Sequence, residues 1–485
     1  MKKIYLQLAP AFLEFPKLII DKLRNEGHQL DINGVITGKK SVVKKGQQFF
    51  PKAISFNTLE ESFLEAEYNN NKVEFYREIF GDEVLNKIII ADRHVGFSYV
   101  NGGIQPRSII AKKIKQNNLL PIIYVVELLE YLILEFTKNR PDLVFSYAVA
   151  SSLSVALAEV SKYMGIKFLT LTSTRIKDKI IFDDSYQGLL NPISKLYSTK
   201  KLKISDEANA YFKSFTNKPL KPSYENFNIL NLRKNYNWTS LLKNLVKYLV
   251  GIVKNEKYLR SNYKDSAIFN IKVILHFKFR KVNYDQVVYK EKYVYFPLHV
   301  DPEASTMVLS PFHTDQLSII ESISKSIPFD SYLYVKEHIH MIGKRPKGFY
   351  DSLKSYPKVK FISPFEDNFS LIKNAYVITT ITGTTGWEGM MLKKPVIYIG
   401  NSPFLIINKG YILCQDLSKI SSAFNQIKAL ELCSDEELLK YLTLIFENAF
   451  SIPDKLLWGE LKFNTLQKYK EEIEIFSNEF LKELD

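Results

Sequence analysis

Cysteine is nearly absent: Cys414 and Cys433 are the only two in 485 residues. That excludes a disulfide scaffold and a Cys-rich zinc module, and it makes a reducing, cytoplasmic setting the expectation. A cleaved leader is not expected either. The start MKKIYLQLAPAFLEF has two lysines, but Gln7, Pro10 and Glu14 break the apolar run that a signal peptide needs, so it reads as a strand with its exit loop. No stretch is suited to crossing a bilayer. The most apolar long segment, Leu119 to Phe136, carries Glu127, Glu130 and Glu135 and is expected to be a core-facing helix.

What is present is a globular composition. Apolar residues make up 46% of the chain, with 33 Phe and 29 Tyr, enough to form two or three cores at this length. Negative charge is in deficit, for a net +14. Much of the imbalance lies between Asn231 and Lys281, where twelve Lys/Arg face only Glu256 and Asp265. Within it, SLLKNLVKYLVGIVK sets Leu242, Leu245, Val246, Leu249 and Val253 near one helical face with lysines beside them. Two readings stay open: a helix packed on its own domain with a solvated basic face, or one resting on the anionic inner face of the cytoplasmic membrane. No recognised nucleic-acid motif accompanies the charge, so nucleic acid is not an expected partner.

The first 195 residues alternate strand-like and helix-like segments. KKIYLQLA, LDINGVITG, NKIIIAD, PDLVFSYA and IKFLTLT read as strands, and PKLIIDKLRNEG, LLPIIYVVELLEYLILEFTKN and SSLSVALAEVSKYMG as helices. Such alternation predicts a parallel sheet covered by helices. Residues 196–285 turn basic, aromatic-rich and mostly helical, as in an insertion or linker. Alternation resumes over 286–440, and 441–485 read as helices packing back on the domains. The predicted fold is α/β, two Rossmann-like domains facing a cleft, with ligands expected where strands end.

Four loops of the second half fall at strand ends: PLHVDPEAST (297–306), VKEHIH (335–340), SPFEDNF (363–369) and TTITGTTGWEG (379–389). Clustered His and carboxylates raise a metal site, yet no H-E-x-x-H occurs, and His338 and His340 would point to opposite faces of an extended segment. Anion binding explains more. A strand runs into Gly383 and Gly386 and a helix is expected from about Trp387. Small residues admit a ligand to the backbone, hydroxyls and helix N–H groups donate, and the dipole favours negative charge. A phosphate is the natural occupant, with Glu388 placed for ribose hydroxyls and Lys336 and His338 adding charge or donors. The loop contains neither G-x-x-x-x-G-K-[ST] nor G-x-G-x-x-G, which weakens ATPase and NAD-enzyme readings.

The order Pro-x-His-Val-Asp-x-Glu-Ala-Ser, Val-Lys-Glu-His, then Thr-x-Thr-Gly-Thr-Thr-Gly-Trp-Glu-Gly and Lys-Pro-Val-Ile resembles bacterial capsule polysaccharide biosynthesis proteins, relatives of retaining Kdo transferases. The resemblance covers about 290–405. It implies a metal-independent GT-B glycosyltransferase, with a nucleotide-sugar donor in the C-terminal domain and a saccharide or lipid-linked acceptor toward the N-terminal one. CMP-linked keto-sugars such as Kdo are the favoured donors, with UDP-sugars next, and no cofactor is implied. By the family's motifs the catalytic stretch falls at His299 and Glu303, with Asp301 beside them. Donor contacts fall at Lys336, His338, Thr382, Gly383, Thr384, Thr385, Gly386 and Glu388. Glutamate at 303, His299, Ile339 and Gly383 depart from the relatives' aspartate, glutamine, proline and serine. Two other readings are a non-catalytic capsule assembly or export partner of the same shape, and a sugar-nucleotide epimerase.

Overall fold

Strand β1 (Lys2–Leu8) is buried over its last five residues, as a parallel strand with helices on both faces must be. The computed structural model describes residues 1–99, 108–176, 179–199, 202–217, 238–253, 258–261, 263–279, 282–453, 456 and 467–484. Among these, β1 is joined by β2 (Leu30–Ile36), β3 (Ile54–Ser55), β4 (Leu143–Ser146), β5 (Lys167–Ser173) and β6 (Lys179–Asp183). The sheet runs in the order β6-β5-β4-β1-β2-β3, and β1 to β5 are parallel.

Two sequence expectations give way here. The sheet is not parallel throughout, because β6 runs antiparallel to β5; the link 174–178 is too short for the crossover that parallel neighbours require. NKIIIAD is not a strand but the end of the helix Asn70–Ile90, with Ile88, Ile89 and Ile90 buried. A short apolar run has no period of its own, and only its burial against the neighbouring helices decided the outcome. The apolar stretch near 119–136 is the helix Leu120–Lys138, with ten buried residues. No helix of the described residues is long and apolar enough to cross a membrane.

The second sheet comprises β7 (Tyr293–Pro297), β8 (Tyr332–Lys336), β9 (Val359–Ile362), β10 (Val377–Thr380), β11 (Val396–Tyr398) and β12 (Tyr411–Leu413). All pairs are parallel, in the order β12-β11-β10-β7-β8-β9. The chain builds outward from β7 to β9, then crosses back to place β10 on the other side of β7. That reversal opens a crevice between the loops that leave β7 and β10, where a doubly wound sheet holds its ligand.

Beyond this sheet the helix Asp435–Asn448 packs on the helices Asn191–Thr199 and Asp206–Asn217. Strand β13 (Phe450–Ser451) then adds to β6 as an antiparallel edge. The last helix, Lys470–Leu484, lies on the helix Glu14–Asn25, with Phe476 against Phe15 and Phe182. Of the basic stretch 231–281, residues 231–237, 254–257, 262 and 280–281 lie outside the described residues. The rest forms the helices Trp238–Val253 and Tyr263–Phe279, which pack on each other.

Candidate functional site at the crossing of the second sheet

The loops that leave β7, β8 and β10 converge because those strands are the three central neighbours. After β7, His299 is buried and tied down through its backbone. Its N–H donates to Gln316 Oε1 at 2.8 Å, and its carbonyl accepts from Arg345 Nη2 at 2.8 Å. Its ring Nε2 lies 3.4 Å from Thr380 Oγ1 at the end of β10. Burial, with Arg175 and Arg345 nearby, pushes the imidazole down to about 3, so at neutral pH it is an uncharged hydrogen-bonding group.

Asp301 is 2% exposed. Burial pushes its carboxyl up to about 7 against the opposing pull of Arg345, and among the described residues its Oδ1 finds no hydrogen-bond donor. Glu303 differs from both, being exposed. It starts the helix Ala304–Met307, and its Oε2 accepts from Ser305 Oγ at 2.7 Å. The carbonyl of Ser305 in turn accepts from Thr382 Oγ1 at 3.1 Å, which joins the β7 loop to the threonine loop.

In that loop the helix starts three residues earlier than the sequence suggests, running Thr384–Met391 from Gly383 as N-cap, whose N–H donates to Thr380 Oγ1 at 3.1 Å. Thr384, Thr385 and Gly386 are therefore its first turn rather than loop. Thr385, Gly386 and Trp387 are buried, whereas Gly383, Thr384 and Glu388 remain partly open. Thr384 and Glu388 are four residues apart and share the open face. Glu388 Oε2 accepts from Asn368 Nδ2 at 2.8 Å, and Asn368 Oδ1 accepts from Tyr295 at 2.6 Å, so the SPFEDNF loop holds the carboxylate in place.

The two inner glycines answer to different neighbours. A Cβ at Gly386 would lie 2.2 Å from Tyr398 Oη, so the core beneath it by itself requires a glycine here. At Gly383 the nearest atoms are Thr380 Oγ1 at 3.0 Å and His299 Cε1 at 3.2 Å, a contact that small shifts relieve. Gly386→Ala is expected to cost about 3 kcal/mol, the upper end for overpacking, and Gly383→Ser under about 1 kcal/mol. Denaturant unfolding of the two variants checks the contrast.

After β8, Lys336 is buried at the strand end, with its carbonyl accepting from Leu298 N–H at 2.9 Å. The next residue, Glu337, was assigned no role from sequence and is the hub of this loop. It receives Arg345 Nη2 at 2.9 Å, Arg345 Nε at 3.3 Å, Tyr350 Oη at 2.8 Å and the His338 N–H at 2.6 Å. His338 is pushed down to about 3 by burial and by neighbouring His340, His299, Arg345 and Lys336; the local positive charge comes from Lys336. The chain then turns through a 3-10 helix, Ile339–Met341, which sets the His338 and His340 rings 5.4 Å apart. The opposite-face expectation fails because the segment is not extended beyond His338.

Across the crevice the first unit contributes Thr170 to Ser173, Arg175 and Tyr186, which with Ala304, Ser305 and Leu309 line a cleft of about 180 Å³. Arg175 is exposed, with φ of 65°, and its charge reaches His299.

Curated proteins yield no sequence match. Among solved structures, a UDP-GlcNAc 2-epimerase from Methanocaldococcus jannaschii aligns at 15% identity over 92% of this chain and 98% of its own, with a TM-score of 0.26. KpsC of Thermosulfurimonas dismutans, a β-Kdo 2,4-transferase, aligns at 14% identity over 62% of this chain and 79% of its own, with a TM-score of 0.33. No activity is carried over from either at such scores. The family comparison is more direct: residues 195–408 match the capsule polysaccharide biosynthesis protein profile, and the family resemblance carried by the motifs of 290–405 is thereby shown.

Proposed function

We propose that this chain is a glycosyltransferase that moves a sugar from a nucleotide-activated donor to a saccharide or lipid-linked acceptor in capsule or surface polysaccharide synthesis. One observation carries the reading: at the β7/β10 crossing the start of the Thr384–Met391 helix lies against neutral His299, with the open acid Glu303 on the loop that Thr382 ties to it and Lys336 at the end of neighbouring β8. Donor phosphate sits at the first turn of the Thr384–Met391 helix, where N–H groups and the dipole favour an anion. Lys336 adds a positive charge, and His338 and His299 donate hydrogen bonds without one. Glu388, steadied by Asn368, accepts from the ribose hydroxyls.

The bond between the anomeric carbon and the phosphate oxygen breaks, its electron pair leaving on the phosphate. These fixed donors stabilise the charge that develops there. Glu303 either takes the acceptor hydroxyl proton as that oxygen attacks, or attacks the anomeric carbon itself before the acceptor replaces it. The anomeric configuration of the product separates the two routes. Arg175 faces the site from the other unit and suits a carboxylated or phosphorylated sugar.

A thermal-shift panel of CMP, UDP and GDP tests the donor site. Ligand at a hundredfold its Kd adds about 2.7 kcal/mol to the folded state, so CMP is expected to raise Tm by several degrees, with UDP next. No rise with any nucleotide overturns the reading.

A further inference from the structure

We propose that the helical hairpin of residues 238–279 docks this protein on an anionic lipid bilayer. The helix Trp238–Val253 is turned inside out for a helix of a globular protein. Asn244 and Tyr248 face its partner: Asn244 Oδ1 accepts from Asn270 at 3.1 Å, and Lys264 lies over the Tyr248 ring. Its apolar residues face away. Trp238 is 59% exposed, Leu242 62%, Val246 58%, Leu249 60% and Val253 83%, with Leu245 and Val250 at 41% each. At 100° per residue these seven occupy one stripe roughly 140° wide. Single exposed apolar residues are ordinary, but a continuous stripe over four turns is a binding surface.

Charge selects the occupant. Lys243 and Lys247 are exposed along one border of the stripe, within a segment that carries twelve cations and two acids. Apolar residues in the acyl boundary with lysines at the headgroups is the arrangement that binds anionic membranes. A protein groove would meet the stripe but would have to supply acids for the lysines as well.

The hairpin is also mounted firmly enough to orient what it anchors. Between its helices Arg260 is mostly buried; its Nη1 meets Asp92 Oδ2 and its Nε meets Glu60 Oε1, both at 2.8 Å. Lys112 pairs with Asp265 at 2.5 Å. On the other side, His276 packs against the Gly343 turn, which follows the loop of Glu337 and His338. The hairpin is therefore tied to both units. This inference rests on the exposed face and the charge beside it, and stands whether or not the transferase reading holds.

The test is co-sedimentation of the full chain with vesicles of phosphatidylcholine, with and without roughly a quarter phosphatidylglycerol. Binding is expected at least about tenfold tighter on the anionic vesicles and weaker with added salt. Lys243→Gln with Lys247→Gln is expected to lower the anionic partition about 30-fold. Leu242→Asn with Val246→Asn and Leu249→Asn is expected to abolish it, with unchanged circular dichroism and Tm as the control for folding. No vesicle binding overturns the proposal, as does binding indifferent to the triple variant. A triple variant that only removes self-association, from a chain that ignores vesicles, assigns the stripe to a protein contact and overturns it equally.

Discussion

Arg345→Met is expected to destabilise the second unit by about 3–5 kcal/mol, the usual cost of leaving a buried charge without its partner. Arg345 and Glu337 are 1% and 0% exposed at their side chains, so water cannot replace the lost contact. Two of the four hydrogen bonds into Glu337 come from Arg345, and the same guanidinium holds the His299 carbonyl. The variant therefore loosens the β7 and β8 loops together, and a nucleotide thermal shift should shrink along with Tm. Arg345→Lys should recover little, because an ammonium cannot span both carboxylate oxygens. Pairing Arg345→Met with Glu337→Gln removes the orphaned charge and should restore part of the loss. The double-mutant cycle reads the coupling directly. A single variant that loses under about 1 kcal/mol would show that the pair does not organise the site.

The sequence made the second sheet legible because nearly every strand and helix there is short, strongly patterned and closed by a turn residue. The loops at its strand ends, and hence Lys336, His338 and the threonine run, followed from that order. What remained hidden depends on contacts distant in sequence. Nothing in GKRPKG marks Arg345 as the partner of Glu337, and Gln316 holds His299 from the start of another helix. The packing demand on Gly386 was hidden too, because the loop shows its small residues but not the Tyr398 ring beneath. The helix Trp238–Val253 showed its amphipathic period, yet the period cannot say which face meets the protein. In this case the side of Asn244 and Tyr248 does.

Glu303→Gln is expected to lower the transfer rate by on the order of 10²–10⁴-fold while leaving Tm and the nucleotide thermal shift in place. The substitution keeps an oxygen for Ser305 Oγ, its hydrogen-bond donor, and the residue is exposed, so folding is spared. Only the negative charge is lost. In the proposed mechanism that charge has its role at Glu303 because its helix lines the cleft between the units, through Ala304 and Ser305, and its loop is tied to the threonine helix by Thr382. His299 is a poor substitute, since a group held down to about 3 is a weak base. Asp301 is the stronger rival, and pH separates the two. Burial holds its carboxyl up to about 7, and only the deprotonated form accepts a proton. If Asp301 were the base, the rate would fall as pH drops through about 7, and Asp301→Asn would abolish both the rate and that inflection. An unchanged rate in Glu303→Gln together with this profile would move the catalytic role two residues back along the same loop.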